Sequence, residues 1–233
     1  MKTIALIVAG GSSQRFGGDI PKQFRMMAGM PVLSWSISKF ERAESIDQIV
    51  VVVAEEYLLY TTEKIIDPYD FKKVIKVVIG GKTRQESVYN GLEALPLSTA
   101  FVAIHDGARP LVLPDDINRV VKTAQNEKAA LLGVKAVDTV KRVRGDFVIS
   151  TLDRDSLYMA QTPQVFQYDL IREAHRKAVE QSDGEVVITD DASLLEQGGF
   201  KVKMVEALAP NFKITTGDDF KLAEIILGKG KNE

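Results

Sequence analysis

Short, nearly unbroken apolar runs alternate with helical patterns, and that alternation constrains the fold more than any other feature. The runs are Ile4–Ala9, Gln48–Val53, Val74–Ile79, Phe101–His105 and Ala130–Val137. Strands that are apolar along their whole length are buried on both faces. Between them, Pro31–Arg42, Tyr57–Ile66, Arg84–Leu95 and Asp115–Glu127 carry helical periodicity. Pro31 suits a first helical turn, and Thr83-Arg84-Gln85-Glu86 has the form of a capping box. This order predicts an α/β fold: a mostly parallel sheet with helices on both faces. One domain over residues 1–233 accommodates the length.

The pattern changes near residue 138. "DTVKRVRGDFVIST" (Asp138–Thr151) predicts a two-stranded hairpin turning at Gly145-Asp146, part of an arm over about 138–158. A lone hairpin with little apolar surface is marginally stable, so the arm needs a support, and a partner subunit is a natural one. Next come a strand at Gln164–Phe166, a helix from Tyr168 to Gln181, a polar loop and a short helix Asp191–Gly198. A strand Lys201–Val205 and a helix from Asp218 to Leu227 follow, and the tail "GKGKNE" reads as frayed.

Composition removes several functions. The formal net charge of −2 offers no global field for nucleic acid or an anionic membrane. Basic and aromatic residues are not interleaved as a nucleic-acid binder needs. With no cysteine there is no disulfide, thiolate metal site or cysteine nucleophile. The apolar run after Met1-Lys2-Thr3 ends in glycine and is shorter than a signal peptide requires, so it reads as a buried first strand. No apolar run approaches the roughly 20 residues of a membrane span. The expectation is a cytoplasmic protein.

That first strand leads into "AGGSSQRFGGDIPKQF" (Ala9–Phe24). Glycine-rich loops after a strand expose backbone N–H groups to anionic oxygens, although a tight turn alone also needs glycine. The dinucleotide fingerprint G-x-G-x-x-G fails from Gly11, and no Gly-Lys pair follows as a P-loop demands. Gly81-Lys82-Thr83 imitates the end of a P-loop, but Lys76 stands where its first glycine belongs. What remains is two permanent cations, Arg15 and Lys22, read either as phosphate ligands or as surface residues. As phosphate ligands they suit a centre where charge builds on phosphoryl oxygens.

The stretch resembles the N-terminal signature of the sugar-phosphate nucleotidyltransferases, whose fold is Rossmann-like, and most closely the methylerythritol phosphate cytidylyltransferase family. The likeness continues in order through "GGKTRQESVYNGL", "IHDGARP", "VDTVKRV", "TLDRDSLYMAQTPQVF", "ITDDAS" and "NFKITTGDDF". It implies transfer of CMP from CTP to a sugar-alcohol phosphate, with release of pyrophosphate and no covalent intermediate. Arg15, Lys22, Arg154 and Lys213 match the catalytic cations. Ala9, Gly10, Gly11, Ser13, Gly81, Lys82, Arg84 and Ser87 match the nucleotide side. Asp106, Arg109, Thr139, Arg154, Thr162 and Thr189 match the substrate side, with Arg154 and Lys213 holding the attacking phosphate. Mg²⁺ or another divalent cation is implied, carried mainly by the CTP phosphates rather than by protein ligands. The resemblance also implies a homodimer in which the arm crosses to the partner's site.

The chain departs from the family pattern at four positions. Gly10 stands for the usual alanine, Ser13 for glycine, Gly107 for alanine, and Lys82 where an acid is common. His175, among Arg172, Arg176 and Lys177, reads as a solvated residue, and His105 as a buried, satisfied imidazole rather than a metal ligand. Asp190-Asp191 reads as the acidic start of a helix. Met26, Met27 and Met30 read as packing, and Lys72, Lys73 and Lys76 as a solvated face. Two rival functions stand beside the main reading. A ribitol-5-phosphate cytidylyltransferase is disfavoured by Ala108 before Arg109 and by Lys141. A non-catalytic nucleotide-binding protein is disfavoured by the presence of all four cations.

Overall fold

The computed structural model describes residues 1–11, 20–180 and 190–229, without the side chain of Lys229. Its elements, in order, begin with β1 (Thr3–Val8), a 3-10 turn at Lys22–Phe24 and a ribbon of β2 (Met26–Met27) and β3 (Met30–Pro31). Then come α1 (Val32–Arg42), β4 (Gln48–Val53), a helical stretch containing α2 (Leu58–Tyr60), β5 (Val74–Ile79) and α3 (Arg84–Glu93). β6 (Phe101–Asp106), α4 (Pro114–Glu127), β7 (Ala129–Lys135), β8 (Lys141–Arg144) and β9 (Phe147–Thr151) follow. The chain closes with β10 (Tyr158–Gln167), α5 (Tyr168–Glu180), α6 (Asp191–Gln197), β11 (Lys203–Glu206) and α7 (Gly217–Lys229).

Seven strands form one sheet in the order β11-β7-β10-β6-β1-β4-β5. Every pairing is parallel except those of β10, which runs antiparallel between β6 and β7. The mostly parallel α/β fold read from the sequence is therefore the fold observed. Alternate residues of β1 show how both faces are covered. Ala5 and Ile7 join Leu33, Ile37 and Phe40 on one side, while Ile4 and Leu6 join Val88, Leu92 and Phe166 on the other. Burying a side chain such as Leu6 contributes about 1.5–3 kcal/mol.

β5 differs from the other early strands. It is the edge strand, with a neighbour on one side only, and Ile75 and Ile79 are exposed despite the unbroken apolar run, while Val77 and Val78 pack against the cores on opposite faces. The predicted helix Tyr57–Ile66 is a composite, passing from a 3-10 turn through α2 into a π-helical turn at Thr61–Ile66. The Ser34 hydroxyl donates to the Ile65 carbonyl at 2.9 Å and docks that turn on α1.

Two consequences position a site. The chain runs outward from β1 to β4 and β5, then returns to β6 on β1's other side. That reversal is a topological switch point, and ligands bind outside the carboxyl ends of strands at such points. Val8 lies beside Asp106 in the register, so the first glycine loop and the "HDGARP" loop emerge together. Second, β8 and β9 form a separate ribbon. Val143, Phe147, Val148 and Ile149 on it are all exposed, so its apolar side chains find no core among the described residues.

Candidate active site

The nucleotide-side residues meet at the ends of β1 and β5. The Ala9 N–H donates to the Val52 carbonyl at 2.7 Å and holds the strand end down. Gln23 is buried, and its Nε2 donates to the carbonyls of Ala9 (2.8 Å) and Gly11 (3.1 Å). One amide thus clamps the entry of the glycine loop from the far side of the loop, and Lys22 is its immediate neighbour in the same 3-10 turn. Phe24 anchors that turn, with its ring centroid 4.8 Å from Tyr57 and 5.2 Å from Tyr60. Arg15 and Ser13 lie outside the described residues.

Across from the loop, the start of α3 is capped by Thr83, whose hydroxyl accepts the Glu86 N–H at 3.1 Å. The predicted capping box is only half formed, because the Glu86 carboxylate accepts the N–H of Lys82 at 2.8 Å. Ser87 donates its hydroxyl to the Thr83 carbonyl and accepts the Gly81 N–H at 3.0 Å. A Cβ at Gly81 would sit 2.3 Å from Glu86 Cβ, so only glycine brings the backbone this close to the helix. A Cβ at Gly10 would lie 3.4 Å from Ser87 Oγ, placing the two segments side by side. Ala9, Gly10, Gly81 and Ser87 are therefore brought together. The side chain of Lys82 is exposed.

The substrate-side residues gather on Asp106, at the carboxyl end of β6. Its buried carboxylate accepts Arg84 Nε at 3.0 Å and Lys213 Nζ at 3.0 Å, with Arg109 Nε at 3.6 Å. Burial alone would raise this carboxyl, but the charges of Arg84, Lys213 and Arg109 outweigh it and hold it far below the usual range. Arg84, expected on the nucleotide side, turns its guanidinium towards this cluster. Lys213 reaches it because the Ile214 N–H donates to the Ala108 carbonyl, and Arg109 Nη1 donates to the Asn211 carbonyl at 2.8 Å. The loop after β11 is thereby stitched to the loop after β6. In that loop a Cβ at Gly107 would fall 2.9 Å from Leu33 Cδ1, so alanine there requires Leu33 to shift.

A buried network supports Asp106 from below. β10 slips register between Ala160 and Gln164, and Thr162 in the slip accepts the Asp106 N–H at 3.0 Å. The His105 Nε2–H donates to the Arg109 carbonyl at 3.1 Å, which leaves Nδ1 to accept the Thr162 hydroxyl at 3.0 Å. Burial pushes His105 down to about 4, so the ring is neutral at pH 7. His105 is the satisfied buried imidazole that the sequence suggested.

His175 corrects the sequence reading: it is fully buried, not solvated. With Tyr168 and Ile171 it forms the inward face of α5, while the surrounding arginines point outward. Its Nε2 lies 3.2 Å from Asp191 Oδ1. Asp190 caps α6 as expected, accepting the Ser193 N–H at 3.1 Å. Asp191 goes further, its second oxygen accepting Arg84 Nη2 at 2.8 Å. Burial raises the Asp191 carboxyl, yet Arg84 and His175 leave it below its ordinary value.

Thr139 and Arg154 stand apart from this cluster, exposed on the arm. Among the described residues, the hydrogen-bond partner of Arg154 is the Val137 carbonyl at 3.1 Å. Thr189 lies outside the described residues. Among those described, no group of three or more His, Cys, Asp or Glu could hold a metal ion. No described helix is long and apolar enough to cross a membrane. Sequence reasoning missed Gln23, Asn211, His175 and the full role of Asp191. The spacing of Tyr168, Ile171 and His175 at i, i+3 and i+7 was the available signal for the third.

Comparison with known proteins gives one family throughout. The profile of the 2-C-methyl-D-erythritol 4-phosphate cytidylyltransferase family matches residues 3–229. A protein of that name from Caldanaerobacter subterraneus subsp. tengcongensis is 44% identical over 98% of this chain and 100% of its own length. Another from Syntrophotalea carbinolica is 44% identical over 97% of both chains. The crystal structure of 4-diphosphocytidyl-2C-methyl-D-erythritol synthase from Anaerococcus prevotii superposes with a TM-score of 0.85 at 30% identity, covering 97% of this chain and 96% of that one.

Proposed function

The chain belongs to the 2-C-methyl-D-erythritol 4-phosphate cytidylyltransferase family, and from that membership we propose how its residues transfer CMP from CTP to 2-C-methyl-D-erythritol 4-phosphate. An oxygen of the sugar phosphate forms a bond to the α-phosphorus of CTP. The bond from that phosphorus to the bridging oxygen breaks, and both electrons leave with pyrophosphate. The nucleophile is already an anion, so no residue needs to remove a proton. Catalysis then rests on alignment and on neutralising charge as two anions meet.

The observation that carries this reading is the cluster of Arg84, Arg109 and Lys213 on buried Asp106, beside the strand end from which the glycine loop starts. The cations around Asp106 hold its carboxyl far below the usual range and occupy both its oxygens, which makes it a very weak base, so it serves as an organiser of cations. It fixes Lys213 and Arg109 where the sugar phosphate enters. Lys22 and Arg15 are assigned to the triphosphate by their match to the family's cations, and the backbone near Gly10 and Gly81 with the Ser87 hydroxyl is assigned to the cytosine and ribose. Thr162 acts from beneath, through the Asp106 backbone and His105, rather than through its own contact with substrate. Both oxygens of Asp106 are held by cations, so the divalent ion arrives with the triphosphate as part of the substrate. Thr139 and Arg154 complete the site of a second subunit through the exposed arm, making a homodimer the active form. Pyrophosphate release with CTP and each of two acceptors tests the assignment. Turnover on methylerythritol phosphate far above that on ribitol 5-phosphate supports it, and the reverse preference overturns it.

A further inference from the structure

We propose that His175 is a positioning residue: through Asp191 it holds the Arg84 guanidinium against Asp106 and so fixes the cation cluster facing the sugar phosphate. The inference rests on reading that cluster as the acceptor side of the site. Four side chains from separate elements form one line. His175 on α5 meets one oxygen of Asp191 at 3.2 Å, and Arg84 Nη2 meets the other at 2.8 Å. Arg84 Nε then reaches Asp106 at 3.0 Å. His175 and Asp191 are both essentially inaccessible to water.

The geometry leaves His175 one task. Its Nδ1 is buried with no hydrogen-bond partner among the described residues, so the ring is tied down by Nε2 alone. A leucine would pack on the same face as Tyr168 and Ile171 and would remove the buried Nδ1. What leucine cannot do is donate to Asp191. A buried carboxylate that loses one donor seeks another, and a guanidinium can satisfy both carboxylate oxygens as a two-pronged fork. Arg84 is the cation in place to do so. A side-on fork onto Asp191 uses Nη2 together with Nε, and so withdraws Nε from Asp106, which then keeps Lys213 and Arg109. His175 occupies the oxygen that would otherwise draw Arg84 away.

Two variants separate this from packing. His175→Leu keeps the bulk and removes the donor, whereas His175→Gln restores an N–H at similar reach. The expected result for His175→Leu is a fall of about tenfold in kcat/KM for methylerythritol phosphate, with KM for CTP within about twofold of wild type. His175→Gln should recover most of the loss. In parallel, the ¹⁵N–¹H signal of Arg84 Nε, assigned with Arg84→Lys, should shift or broaden in His175→Leu and remain in His175→Gln. Should the leucine variant not fold, His175→Asn, too short to reach Asp191, takes its place against His175→Gln. Unchanged kinetics for both substrates, or an unmoved Arg84 signal in a folded donor-free variant, overturns the proposal. If the wild type transfers no CMP at all, the parent reading fails, and the Arg84 signal still decides this one.

Discussion

Asp106→Asn tests the electrostatic core of the site. The substitution keeps shape and removes one charge. Arg84 retains Asp191, but Lys213 and Arg109 lose their carboxylate at 3.0 and 3.6 Å. Removing one partner from a fully buried pair costs about 3–5 kcal/mol. Lys213 and Arg84 are about a third exposed, so water screens part of the loss and about 2–3 kcal/mol is the reasoned value. For a chain of this size that lowers Tm by about 4–12 °C. The sign with pH follows from the depressed carboxyl. Its stabilisation is present above the unfolded value near 4 and is lost as pH falls through the folded one. Differential scanning calorimetry should therefore find a constant gap between wild type and variant from pH 8 to 5 that narrows below about pH 4. The stranded cations should also make the variant gain more Tm than wild type from added inorganic phosphate. Equal Tm values at pH 7, or a gap that does not narrow in acid, would refute the reasoning.

Lys22→Ala should lower kcat by orders of magnitude with Tm nearly unchanged, because the charge acts on the transition state. If the arm completes a partner's site, mixing refolded Lys22→Ala and Arg154→Ala chains should regain up to about a quarter of wild-type activity, since only one site in each mixed dimer is intact. Mixtures as inactive as the separate variants would place both residues in the same subunit's site. His105, held at about 4, cannot take the proton it binds when unfolded near 6.5, so wild type should lose about 2–3 kcal/mol between pH 7 and 4.5 in urea titrations. His105→Gln should lack that slope.

Much of this architecture was legible in residue periodicity. Gln48–Val53 and Val74–Ile79 fall where their apolar runs placed them. The same signal cannot say which strand ends at an edge, which is why β5 reads as buried yet is half exposed. The site was legible as blocks of residues but not as contacts. Arg84 sits beside Gly81 and Lys82 in sequence, and only the return of β6 to β1 brings it onto Asp106. His175 was hidden by charge: Arg172, Arg176 and Lys177 dominate its surroundings along the chain but pair outward with Glu93, Glu173 and Glu180. Gln23 was invisible for a different reason, since a glutamine that clamps two carbonyls has no local pattern.

A rapid-quench experiment with labelled CTP probes the direct attack of one phosphate on another. Enzyme mixed with CTP alone should release no pyrophosphate, and adding methylerythritol phosphate should start its release in step with formation of 4-diphosphocytidyl-methylerythritol. A burst of pyrophosphate equal to the enzyme before any acceptor is present would mean that the protein itself takes up CMP, contrary to this account.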